Sequence, residues 1–303
     1  MPSSDTTARL EAGFAAPFAA LCLGAVAMGV SPIFVRFAAA ADVGAFASAF
    51  WRVALALPVL YAWLRLDEAK AAPGPSFGRA TVLAGAAFAG DLFFWHLSIL
   101  NTTVANATFF ATTAPVFVVL VAWLALRRHV SGGTVAGLIL CCLGGVSLIG
   151  QSLDVNPARI VGDLYGVATA VFFALYFLAV ERARETGGAA RVTFELTLVT
   201  AAILLVVALL LEPRVMPHTR EGVAALVAVA WISHAGGQGL LSITLGRLPA
   251  VFSSLVIFLE AVAAAAVGWM ILDERLTPIQ FLGGALILGG IWMARPRLRS
   301  VPA

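Results

Sequence analysis

The chain has 303 residues, of which 61% are hydrophobic and only 12% are Asp, Glu, Lys or Arg. That charged share is about half the roughly 25% of a soluble domain. Such a composition excludes a soluble enzyme, a disordered chain and a nucleic-acid binder, and the net charge of +3 is better read as membrane topology than as affinity for nucleic acid.

A membrane helix needs about 20 mostly apolar residues, and ten of them would use about two thirds of this chain. Breaks at Gly, Pro and charge predict spans at 17–40, 45–64, 80–100, 103–126 and 132–150, then 161–180, 192–211, 222–245, 251–272 and 278–294. These runs do not alternate, so helices are expected rather than a barrel.

Taken in chain order, each span offers few groups for chemistry. Ser31-Pro32 interrupts the first span, where proline removes a backbone bond. Arg36 and Arg52 lie near the ends of spans one and two, from which long stems can snorkel to water. Asp91 is midway along span three, with Trp95 one turn on and His96 beside it. These three can line a substrate cavity, or Asp91 can bond a neighbouring helix and lock packing. Pro115 follows Thr112-Thr113 in span four as a second hinge candidate, and Tyr176 brings a hydroxyl to the phenylalanines of span six. His234 and Gln238 share a face of span eight among Gly236, Gly237 and Gly239, as a substrate wall or a close helix contact. Glu260, midway along span nine, is a coupling carboxylate or a packing acid. Cys22, Cys141 and Cys142 read as small core residues, and no metal spacing is present. Lys70, the one lysine, is followed by Ala71, so there is no phosphate-binding loop, and no cofactor is expected.

The loops orient the chain. With a cytoplasmic N-terminus, thirteen basic residues fall inside and four outside. That bias predicts both termini inside, in the inner (cytoplasmic) membrane.

A shift of 146 residues pairs Val116 with Val262, Trp123 with Trp269, Gly137 with Gly283 and Gly144 with Gly290. The whole chain is then one membrane domain, with a first five-helix repeat over 17–150 and a second over 161–295. Five is odd, so the second copy must be inverted. The expected fold is all-α and polytopic, with ten helices in two inverted repeats and a substrate site between them.

Particular residues carry a family resemblance. Ala114-Pro115 through Trp123, Arg128-His129-Val130-Ser131 and Gly137 resemble the EamA-type module of the drug/metabolite transporter superfamily. Leu259-Glu260, Trp269 and Asp273-Glu274-Arg275-Leu276-Thr277 before Gly283 resemble it again, as do Trp95-His96-Leu97-Ser98-Ile99 and Thr103 to Thr108. The resemblance implies ten helices, cytoplasmic termini and carriage of small metabolites, with the aromatic amino-acid exporters most similar. The sequence departs from the family at Arg127, where an acid is usual, and at Ala261, where proline is usual.

A secondary transporter is therefore expected, exporting aromatic or other hydrophobic and neutral amino acids by alternating access. Its partners are a small-molecule substrate and the lipid bilayer, and it acts as a monomer or homodimer. Trp95, Phe93, Phe94, Phe109, Phe110, Phe172, Phe173 and Tyr176 are candidates for an aromatic cavity wall. A multidrug or other metabolite permease is the nearest alternative. An intramembrane enzyme is remote, since no HExxH or GxSxG motif occurs.

Overall fold

The computed structural model describes residues 4–69, 76–102, 104–149, 157–272 and 276–296. Asp273-Glu274-Arg275 and Lys70 lie outside them. Among the described residues, eight helical stretches are long and apolar enough to cross a membrane, and two shorter apolar helices cover Gly132–Leu148 and Pro278–Ala294. The protein is an all-α, multi-pass membrane protein. Its outer surface carries many large apolar side chains, with Leu83, Leu210, Met270, Phe281 and Trp292 all more than half exposed. That surface suits lipid rather than water.

Several stretches are broken helices. The first divides into α1 (Ser4–Gly29) and α2 (Ser31–Ala40), and the second into α3 (Ala45–Ala54) and α4 (Leu57–Glu68). After the continuous α5 (Arg79–Asn101) come α6 (Val104–Thr112) and α7 (Ala114–Leu124), which together form the fourth stretch. Each break has a proline just beyond it. Pro32, Pro58 and Pro115 lack the N–H that would continue the ladder one turn back.

The shorter α8 (Gly132–Ile149) follows, then the long α9 (Ile160–Arg184) and α10 (Ala189–Leu211). The eighth stretch runs from α11 (Arg220–Ala228) through a π-helical segment, Val229–Gln238, into α12 (Gly239–Leu245). The ninth divides into α13 (Ala250–Val256) and α14 (Leu259–Leu272), and α15 (Pro278–Ala294) closes the fold. Thr277 and Gln280 form a capping box at the start of α15.

Two of these breaks correct the continuous reading of spans two and nine. Pro58 explains the first. The second has no proline, because Ala261 occupies the matching place. The chain instead tightens to bonds three residues apart: Ile257 and Phe258 donate to Ser254 and Leu255 at 3.1 Å each, and Glu260 to Ile257 at 2.8 Å. Glu260 is therefore in the first turn of α14, not at a mid-helix position.

Helices α8 and α15 pack along a glycine seam within the one chain. A Cβ on Gly144 would meet Gly283 O at 2.6 Å, and one on Gly290 would meet Gly137 O at 2.6 Å. Only glycine permits that backbone approach.

Polar contacts gather at two ends of the bundle. At one, Glu181 pairs with Arg128 and accepts from Ala250 N at 2.8 Å, while Arg191 pairs with Glu68. Arg184 Nε donates to Ser242 O at 2.8 Å nearby. Buried Glu195 accepts from Phe77 N at 2.7 Å and from Ser76 Oγ at 2.8 Å. At the other, Glu212 accepts from Phe46 N at 2.6 Å, Trp51 Nε1 donates to Val215 O at 2.6 Å, and Thr102 Oγ1 donates to Asp163 at 2.8 Å.

Candidate functional site

Four helix breaks converge on one cavity of about 80 Å³. At about 30 Å³ per water, that is room for two or three waters. The first break contributes Met28, Gly29, Ser31 and Pro32, and the second contributes Arg52 from the last turn of α3. The third contributes Thr108, Ala111 and Thr112, and the fourth Ile257, Glu260 and Ala264. Continuous helices close the remaining walls: Phe88, Asp91, Leu92 and Trp95 from α5, and Thr169 and Phe173 from α9. Gln238 enters from the end of the π-helical segment.

The π-helical segment braces two of these breaks. Ser233 Oγ donates to Ala27 O at 2.7 Å, and Trp231 Nε1 donates to Leu55 O at 3.1 Å. Carbonyls near a proline break that lack a helical donor thus find one on a neighbouring helix. Gly24 and Gly237 let α1 come close enough, since a Cβ on Gly24 would lie 3.1 Å from Gly237 O.

The sequence candidates divide into three groups. Ser31, Pro32, Asp91, Trp95, Gln238 and Glu260 all line the cavity. Tyr176 stands behind the wall: its hydroxyl, fully buried, donates to Gln238 Oε1 at 2.8 Å and so fixes the amide. His96, His234 and Pro115 do not line it. His96 Nδ1 lies 2.7 Å from Leu92 O in its own helix, and its ring packs edge-on to Trp95 with centroids 5.0 Å apart. His234 Nε2 lies 2.9 Å from Thr197 Oγ1 on α10, and its ring packs on Phe88 at 5.4 Å. The expected common face of His234 and Gln238 is thus split between two neighbours, α10 and α9.

Of the aromatic residues put forward, Trp95 and Phe173 reach the cavity, joined by Phe88. Phe94 stacks instead on Phe172 with centroids 5.3 Å apart, and Phe93 stacks on Phe46 at 5.5 Å.

Arg52 is the residue that sequence reasoning placed wrongly. Snorkelling would leave its head group in water, yet the residue is 7% exposed and lines the cavity. Asp91 and Glu260 are its charged neighbours. Arg36, by contrast, is exposed on α2. A charged side chain at the helix centre costs at least about 2.5–3.5 kcal/mol on insertion scales. Asp91 on α5 and Glu260 on α14 line the same cavity.

The cavity also holds polar atoms with nothing to bond. Ser31 Oγ, Arg52 Nε and Glu260 Oε1 are buried without a hydrogen-bond partner. The hydroxyls of Thr112 and Thr169 donate to their own helices at 2.7 and 3.1 Å, leaving their oxygen lone pairs to accept. A small polar solute would find donors and acceptors here, between ring walls and at the ends of half-helices.

The model of the EamA-like transporter family matches this chain twice, over residues 16–150 and 160–295. The chain belongs to the EamA-like transporter family. That family is one of transporters, in keeping with the multi-pass membrane fold. It is 29% identical over 204 residues to the threonine/homoserine exporter RhtA of Escherichia coli K12, and equally to RhtA from two other strains of that species. That match covers 67% of this chain and 66% of the exporter, slightly under two thirds of the exporter's length. A solved crystal structure superposes with a TM-score of 0.79 over 90% of this chain and 94% of the other, at 20% identity. At that identity the match establishes a shared fold.

Proposed function

We propose that this EamA-like protein is a secondary carrier that exports neutral amino acids by alternating access. The cavity at the four helix breaks carries the reading. It combines one buried cation, two acids, an amide and four hydroxyls with the rings of Phe88, Trp95 and Phe173. Asp91, Trp95, Gln238 and Glu260 are read as substrate contacts, with Tyr176 as the support of Gln238. Ser31-Pro32 and Pro115 are read as hinges, and Glu260 also as the coupling acid. His96 and His234 become packing residues in this reading.

The small volume, with Thr108, Thr112 and Thr169 in its wall, favours a side chain of threonine's size. That agrees with the activity named for the Escherichia coli relative. The ring walls favour an aromatic substrate as the second reading.

The working architecture is ten helices in two inverted repeats. The 146-residue shift exchanges the two halves of the glycine seam, since Gly137 against Gly290 becomes Gly283 against Gly144. The end contacts support alternation: Arg128, Glu181 and Ala250 meet at one end, Thr102 and Asp163 at the other, with α8 and α9 running between. The basic residues favour an inner-membrane protein with cytoplasmic termini.

The test is efflux of labelled threonine, homoserine, methionine and tryptophan from proteoliposomes. Saturable efflux of at least one is expected. No flux above empty vesicles, or flux that never saturates, overturns the proposal. A cysteine cross-link between the cytoplasmic ends of spans one and six should stop transport, and undiminished transport in the locked protein would count against alternating access.

A further inference from the structure

We propose that Arg52 is the carboxylate receptor of this cavity, so that a carried solute must present a free carboxylate. The assignment rests on the amino-acid reading above and names the group that would enforce it.

The sequence places Arg52 two residues before the end of α3, and Pro58 breaks the helix just beyond. The break sets a helix C-terminus at the cavity. Its partial negative charge favours a cation in the last turn. The side chain is 7% exposed, lines the cavity and leaves Nε without a partner. A buried guanidinium with a free donor is an unfinished arrangement, because an incompletely bonded buried charge is costly. Its planar fork fits a carboxylate through two parallel hydrogen bonds.

The remaining groups narrow the ligand. Asp91 and Glu260 are the acids near Arg52, from opposite repeats, and Glu260 Oε1 also lacks a partner. A phosphate would meet repulsion from both. A simple amine would pair with the acids and leave Arg52 unanswered. A zwitterion answers both ends, with its carboxylate on Arg52 and its ammonium toward Glu260 or Asp91. Ser31 Oγ, 5% exposed and unpartnered on the same cavity, is a further donor for the carboxylate.

A site built around a charged hydrogen bond rejects analogues that lack the group. The test uses proteoliposomes loaded with labelled threonine. Unlabelled threonine, threonine methyl ester and threoninol compete at mildly acidic pH, where every amine is charged. For the wild-type protein, the ester and the alcohol should compete at least about tenfold more weakly than threonine. In R52Q the threonine KM should rise by a similar factor, and the acid-to-ester preference should fall to about one. R52K, with charge but no fork, should lie between them. A thermal melt separates loss of recognition from loss of fold. If R52Q does not fold, the wild-type analogue series decides alone.

Equal competition by acid and ester in the wild type, or an undiminished preference in folded R52Q, overturns the assignment while leaving amino-acid export intact. Absence of any amino-acid flux overturns the underlying function, and the assignment with it.

Discussion

Replacing Gly144 with alanine tests whether the α8–α15 seam holds this bundle together. The new Cβ would sit 2.6 Å from Gly283 O and 2.8 Å from Ile287 Cγ1. Carbon atoms rest at about 3.5–4.0 Å, so the helices must part by roughly 0.7 Å at that level. Main-chain atoms cannot swing aside as a flexible side chain does. Overpacking of this kind costs about 1–3 kcal/mol. At about 2–4 °C per kcal/mol, Tm should fall by roughly 2–12 °C. Gly283→Ala should cost a similar amount, because its Cβ would lie 2.7 Å from Gly144 O. The double variant should cost less than the sum, since one displacement serves both methyl groups. Gly284 and Gly289, on the same helix, have nothing within 4 Å of an added Cβ, so G284A and G289A should be neutral. The assay is a detergent thermal melt followed by tryptophan fluorescence. Equal melting of G144A and G284A would refute the packing argument.

Five further variants probe the cavity and the end contacts. Tyr176→Phe removes the 2.8 Å hydrogen bond that fixes Gln238 and should raise KM several-fold, with a stability loss of about 0.6–1.7 kcal/mol. An unchanged KM would release Tyr176 from any role at the site. Glu181→Ala removes both the Arg128 ion pair and the acceptor for Ala250 N, and should lower stability by about 0.5–2 kcal/mol. Arg128→Ala should cost less, because the α13 amide stays capped, and the reverse order of melting would sink that explanation. Glu260→Gln and Asp91→Asn should each reduce transport at least tenfold in folded protein. Wild-type flux in both would remove the acids from the proposed mechanism.

Much of this architecture was legible because lipid leaves the chain few choices. Apolar runs between charged loops mark membrane helices, and Pro32 and Pro115 mark two breaks. The 146-residue offset singles out the four glycines of the seam, where Gly144 meets Gly283 and Gly137 meets Gly290. Ionisable residues in apolar runs drew attention to Asp91 and Glu260, which line the cavity. The orientation of Arg52 was not legible. A helix that is apolar nearly all round does not reveal which face meets its neighbours, and a long stem permits both directions. The break at Ile257–Phe258 escaped notice because no proline makes it. It arises where the chain tightens, and nothing local signals that. The histidines misled for a related reason: a buried imidazole with one partner, as at His234 and Thr197, looks the same in sequence as one facing a ligand.

The length of α15 has its own consequence. Helix α15 has 17 residues. At 1.5 Å per residue it is only about 26 Å long, against roughly 30 Å of hydrocarbon. Ile279, Phe281, Leu282, Ile139 and Leu143 on α15 and α8 are more than half exposed. Trp292 beside them has the Arg295 guanidinium 3.9 Å from its ring, an interfacial anchor at the end of α15. Lipid touching this edge must shorten to match it, while lipid around the longer α9 and α10 need not. The carrier therefore imposes a thickness gradient on its own annulus, and acyl-chain length becomes a variable acting on one side of the molecule more than the other.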